Sequence, residues 1–232
     1  MIKHLIALML LAIIAGVFFA LFVNYTPDSA LNLTANYYAK NSAGDTGAAN
    51  IVTAIIVTYR GLDTLGEVTV LFLAAAIVGL VLAQSTKSGE ARHKPLPAGE
   101  LLTTGSHVLV PLILLLGIYV FVNGHLTPGG GFQGGAILAS ASLLLLLSDP
   151  LKQFSHRLIA AIESLSGLAY VMLGTLGLFF AGGFLDNRIL PIGELGDLFS
   201  AGAIPLIYSL IGLKVGAEFS SILSNLSETE EL

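Results

Sequence analysis

The stretch HVLVPLILLLGIYVFVNGHLTPGGGFQGGAILASASLLLLL, from His107 to Leu147, decides how this chain is read. Two oily runs, His107–Val122 and Gly134–Leu147, hold no charged residue. Between them stand His125, Pro128, Gly129, Gly130 and Gly131, and Gly134 and Gly135 open the second run. A turn between two soluble helices needs only a glycine and a polar residue. Proline is expected to stop the incoming helix, and glycines admit backbone conformations with φ > 0. Both flanking runs are short for a membrane span. The pattern therefore predicts a non-helical break at membrane depth, shielded by protein or lining a watery cavity.

The rest of the chain agrees with a membrane reading. Of 232 residues, 55% are hydrophobic and 11% charged, against about 25% charged in soluble domains. There is no cysteine and no tryptophan, so no thiol nucleophile, disulfide or cysteine-ligated cluster is available. No two of the five histidines stand at i, i+4, the spacing that a helical metal pair or haem ligation would suggest. No cofactor is expected, and the chain is expected not to be an enzyme. No phosphate loop or basic–aromatic interleaving points to nucleic acid.

Six apolar segments are long enough, or nearly so, to span: Leu5–Val23, Thr64–Ala83, His107–Val122, Gly134–Leu147, Leu158–Ala181 and Ala201–Leu223. The first exceeds a signal-peptide core of about 7–15 residues and reads as a spanning helix. Ala48–Tyr59 is too short to span untilted. The fold class is an all-α polytopic membrane protein with about six spans, or seven if residues 48–59 cross. Basic residues collect at Lys87, Arg92 and Lys94, and at Lys152 and Arg157. The positive-inside rule puts those loops in the cytoplasm and the His125 and Asp186 loops outside. With six spans both termini are cytoplasmic. Residues 87–100 read as a linker between a two-helix unit, 1–86, and a four-helix unit, 101–226. The acidic end, 227–232, reads as a solvated tail.

Ionisable residues inside oily segments cost about 2.5–3.5 kcal/mol each at mid-helix and usually face protein or water. Asp63 and Glu67 follow Arg60 in RGLDTLGE and share one helical face. They read either as a helix entry, with Asp63 or Thr64 as N-cap and Glu67 in a capping box, or as a carboxylate pair at the mouth of an ion path. Glu163 falls about two turns into the helix of HRLIAAIESLSGLAYVMLG. Lys214 and Glu218 stand four apart and can pair on one face. His125, and with less reason His107, offers an imidazole that titrates near neutral pH.

These residues carry a family resemblance. GHLTPGGGFQGGAILA (124–139) and LPIGELGDLFSAGAIPLIYSLIGLKVGAEF (190–219) resemble the B subunit of Mrp-type multisubunit Na+/H+ antiporters, the MnhB/MrpB family. NIVTAIIVTYRGLDTLGEVTVLFLAA (50–75) resembles the end of the large Mrp A subunit and the small MbhE protein of membrane-bound hydrogenases. Here the two pieces look fused. The resemblance implies a non-catalytic membrane subunit of a cation/proton-translocating complex, in the cell membrane of a bacterium or archaeon. Its partners would be large antiporter-like subunits and small C- and G-type subunits. Asp63, Glu67 and Glu163 become ion-path candidates, with transient Na+ near them, followed by Lys214, Glu218 and His125. The alternative is a structural membrane-arm subunit of a hydrogenase or related respiratory complex, with no ion path of its own.

Overall fold

The computed structural model describes residues 2–26, 30–85, 98–149 and 154–230, and all regular structure among them is helical. The helices are α1 (Ile2–Asn24), α2 (Leu33–Thr46), a short α3 (Ile51–Thr53) continuing as a π-helical turn (Ala54–Tyr59), α4 (Gly61–Ser85), α5 (Glu100–Val122), α6 (Gly131–Ser148), α7 (His156–Phe180) and α8 (Ile204–Glu230). Six of them, α1 and α4 to α8, are long and apolar enough to cross a membrane. At 1.5 Å per residue even α6, with its 18 residues, reaches about 27 Å, close to the hydrocarbon thickness. The short 48–59 stretch is not among them. Lys87, Arg92, Lys94 and Lys152, on which the sidedness argument rests, lie outside the described residues.

Several expected boundaries move. α5 starts at Glu100, seven residues before the oily run, and α6 starts at Gly131. Both short spans thereby gain membrane-crossing length. Pro128 does not stop α5, which ends six residues earlier, at Val122, with Asn123 donating from its side chain to Tyr119 O at 3.2 Å. Another proline, Pro111, lies inside α5, where it cannot donate the usual backbone hydrogen bond. α4 begins at Gly61, which puts Asp63 in its first turn. Thr64 is not a cap: its hydroxyl donates to Ile56 O at 2.5 Å. The capping-box reading of Thr64 and Glu67 is thus replaced by a tether from α4 to the π turn.

The chain forms two compact units, Met1–Tyr37 and Tyr38–Leu232. In the first, the described side chains of α1 are exposed along its whole length. The second is built around α8, which packs against α4, α5, α6 and α7. Its contacts fix the helix directions. Gly131 lies against Ile211, Gly135 against Gly212 and Val215, and Ser142 bonds Ser220, so α6 runs parallel to α8. Phe72 meets Lys214 and Gly79 meets Asn225, so α4 is parallel to α8 as well. Gly117 meets Gly134 and Thr103 bonds Ser148 O, so α5 runs the other way. Glycine makes the closest approaches possible. A Cβ on Gly135 would sit 2.7 Å from Val215 Cβ and 2.8 Å from Gly212 O, closer than carbon and oxygen atoms tolerate. Small residues at helix contacts supply the packing that water cannot drive inside lipid.

Candidate functional site

The glycine-rich break is a joint rather than a free turn. Gly124, His125, Gly130, Gly131, Gly134 and Gly135 are buried, while Pro128 is exposed at the bend and Gly129 half-buried. Asn50 holds the joint to the segment before α4. Its backbone N–H donates to His125 O at 3.0 Å, and its side-chain amide donates to Gly124 O and Thr127 O, both at 3.0 Å. Its side-chain oxygen meanwhile caps α3 by accepting from Val52 N and Thr53 N. Thr53 donates to Gly124 O at 2.6 Å and receives the Tyr208 hydroxyl at 3.1 Å. These buried carbonyls need donors, since water is excluded. Sequence reasoning does not find Asn50, Thr53 or Tyr208. The one available signal is an asparagine directly before a short apolar run, the place of an N-cap.

His125 is fully buried. Its Nε2 donates to Asp197 O across 3.4 Å, and Nδ1 has no hydrogen-bond partner among the described residues. Burial holds its pKa below the usual 6.5, against the raising influence of the Asp197, Val122 and Leu198 backbone. The ring is therefore neutral at pH 7. Nearby, the α7–α8 connection is pinned by Asn187, whose amide donates to Thr46 O at 2.7 Å and Ala201 O at 2.9 Å. Arg188 binds both oxygens of Asp186 and brings its pKa down to about 2, assisted by the Arg188 and Gly182 N–H groups.

The intramembrane charges fall into two groups. The first lies on α4. Asp63 pairs with Arg60 at 2.5 Å, and both are exposed. Glu67, one turn on, is exposed too, and interacts electrostatically with Tyr170 of α7. It stands six residues into α4, about 9 Å along the axis. Along the same face run Gly66, Val70, Leu73, Ala74, Ile77 and Val81, all exposed. Gly66 has nothing within 4 Å of where a Cβ would stand.

The second group is internal. Lys214 Nζ lies 2.6 Å from Glu218 Oε1, with their side chains 12% and 0% exposed. Glu218 Oε2 has no hydrogen-bond partner among the described residues. The Lys214 stem rests on Gly167 of α7, and its ammonium sits 5.0 Å from the centre of the Phe72 ring, within cation–π range. Glu163, half-buried, interacts electrostatically with Glu218. The structure thus brings Glu163, Lys214 and Glu218 together and leaves Asp63 and Glu67 on another face. His125 and His107 join neither group. Among the described residues no three acidic, histidine or cysteine side chains converge to hold a metal ion.

Comparison with known proteins adds the family. Residues 101–221 match the model of a domain related to the MnhB subunit of Na+/H+ antiporter, and residues 4–95 match the MbhE model, the E-type component of MBH. An uncharacterised protein of Methanocaldococcus jannaschii is 33% identical over 218 residues, covering 78% of this chain and 82% of its own. A chain of the membrane-bound sulfane sulfur reductase (MBS), an archaeal respiratory membrane complex, superposes with a TM-score of 0.83 at 40% identity, covering 97% of this chain and 98% of that one. A chain of the Mrp complex from Dietzia sp. DQ12-45-1b gives 0.79 at 26% identity, covering 97% of this chain but 26% of its own length.

Proposed function

The chain belongs to the family of domains related to the MnhB subunit of Na+/H+ antiporters, and from that premise we propose that it lines part of the ion route of a cation/proton-translocating complex. It is a multi-pass membrane protein, a subunit of an Mrp-like or respiratory complex. In this reading it lies in the cell membrane with both termini cytoplasmic, beside large antiporter-like subunits and small C- and G-type subunits. It does no chemistry of its own and contributes both to the ion path and to assembly. The fused order, an MbhE-like piece followed by an MnhB-like piece, makes one rigid joint of what Asn50 and the glycine break hold together.

One observation carries the ion-route reading: Glu67 is exposed on a membrane-spanning helix about 9 Å from its start. A carboxylate facing hydrocarbon at that depth is costly, so such groups face protein or a watery path. The open position at Gly66 leaves room for a neighbouring helix to come close. The chain has no cysteine, so labelling of this subunit in a single Val70→Cys variant, read on the separated chain, reports on that face. In the assembled complex, a cationic membrane-impermeant thiol reagent should modify it, and Na+ should slow the reaction. No modification in the assembled complex, with full modification after unfolding, would count against a watery route there.

A second reading is favoured by the close match to the MBS respiratory complex along nearly the whole chain. In it the chain is a structural part of the membrane arm, and the α4 face only docks a neighbour. The same cysteine then stays unreactive once the complex is assembled.

A further inference from the structure

We propose that Glu163, Lys214 and Glu218 form a proton-binding site inside the membrane, in which Lys214 trades between the two carboxylates as one proton comes and goes. The proposal deepens the ion-route reading, and rests on it only in taking the bound proton as one that the complex moves.

Three features point to it. The first is charge. Two carboxylates and one ammonium leave one negative charge over, in a region where Glu218 is fully buried and Glu163 half-buried. A buried uncompensated charge is not kept: the group neutralises instead. The second is register. α7 and α8 are successive spans and run antiparallel, and Gly167 lies against Lys214. One turn towards the start of α7 is Glu163, and one turn towards the end of α8 is Glu218. The two residues therefore stand at one level, close enough for Glu163 to act electrostatically on Glu218, with the lysine one turn away from both. The third is an opening in the bonding. The Lys214 ammonium stands 2.6 Å from Glu218 Oε1, yet neither carboxylate oxygen has a hydrogen bond of good geometry among the described residues.

The two states follow. In the first, Lys214 pairs with Glu218, the geometry of the structure, and the proposal assigns the one proton to Glu163. When Lys214 swings to Glu163, that O–H bond breaks, its proton leaves to water, and Glu218 Oε2 takes up a proton to become the neutral partner. Each state holds one proton and no net charge. The lysine stem lies over Gly167, and the Phe72 ring supports the ammonium at 5.0 Å. Between α5, α6, α7 and α8 lies a cavity of about 170 Å³, lined mainly by apolar side chains such as Ile162 and Leu213, with the Ser142–Ser220 hydroxyl pair as its polar part. Sodium is a poor occupant here. The ammonium repels it, and no third acidic or histidine ligand converges among the described residues.

The remaining ionisable groups around α8 do not complete the charge balance. α6 has none, and α5 brings only Glu100, His107 and Tyr119. α4 brings Asp63, paired with Arg60, and Glu67, which interacts with Tyr170 of α7. α7 otherwise has His156 and Arg157 in its first turn.

The test is difference infrared spectroscopy on the assembled complex, reading the carbonyl band of a protonated carboxylic acid near neutral pH, together with proton transport in vesicles. The wild type shows the band. E163Q and E218Q each lose it, because either leaves one carboxylate for one ammonium, and transport falls at least about tenfold in both. K214M strengthens the band, since two carboxylates then lack a cation. E163Q leaves the Lys214–Glu218 pair intact, so it serves even if E218Q fails to assemble. A band unchanged in E163Q, or wild-type transport in that assembled variant, overturns the proposal. E67Q keeps the band whatever it does to transport, so the fate of the α4 route is read separately.

Discussion

Replacing Gly135 by alanine tests how tightly the centre of the bundle is built. The new Cβ would stand 2.7 Å from Val215 Cβ and 2.8 Å from Gly212 O. Ordinary carbon contacts lie near 3.5–4.0 Å, so α6 and α8 must part locally by roughly 1 Å. One of the opposing atoms is backbone and cannot rotate away. Overpacking of this kind costs about 1–3 kcal/mol. Alanine also gains about 1 kcal/mol over glycine in helix propensity, which partly masks the cost. The matched control is Gly105→Ala in α5, where nothing lies within 4 Å of the added atom. It takes the same propensity gain without the clash, so the difference between the two variants isolates packing. For a chain of this size 1–3 kcal/mol corresponds to a thermal midpoint lower by about 2–12 °C. The assay is the fraction of assembled complex that stays monodisperse after heating. Equal midpoints for the two variants would refute the close α6–α8 contact and the register drawn from it.

Asn50→Asp should destabilise more than Asn50→Ala. Aspartate keeps the α3 cap but sets a carboxylate against the Gly124 and Thr127 carbonyls, which then lack their donor, at about 1–3 kcal/mol; thermal midpoints of both variants check this. The folded pKa of His125 is lowered by burial, so below its ordinary value of 6.5 the unfolded chain binds the proton first. Thermal stability should fall as pH drops below that value, and His125→Gln should flatten the slope. Asp186 acts in the same sense in a more acidic window: its contribution is present above the usual carboxylate range and is lost as pH falls through that range towards about 2. Wild type and Asp186→Asn should therefore differ at pH 7 and converge in strong acid.

The oily helices were legible because a span needs length and apolarity, and both are written in the chain. Their starts were less so. Glu100 to Ser106 is mixed in character, so hydropathy alone does not include it in the span, although helix α5 begins at Glu100. The π turn and its tether, Thr64 to Ile56, have no periodic signature. The Lys214–Glu218 pair could be read from i, i+4 spacing, since one helix fixes its own geometry. The shared level of Glu163 and Glu218 could not, because it depends on how two helices slide against each other, which no local spacing records. Pro128 misled because the chain had already left the helix at Val122. The burial of His125 came from long-range partners, Asn50 and the Asp197 carbonyl, that no local pattern announces.

The most direct test of the ion-route account is Na+-driven proton flux in vesicles holding the assembled complex, with Glu67→Gln against wild type. The account predicts normal assembly with flux reduced at least about tenfold, and partial recovery in Glu67→Asp. Wild-type flux through the assembled Glu67→Gln complex would contradict it.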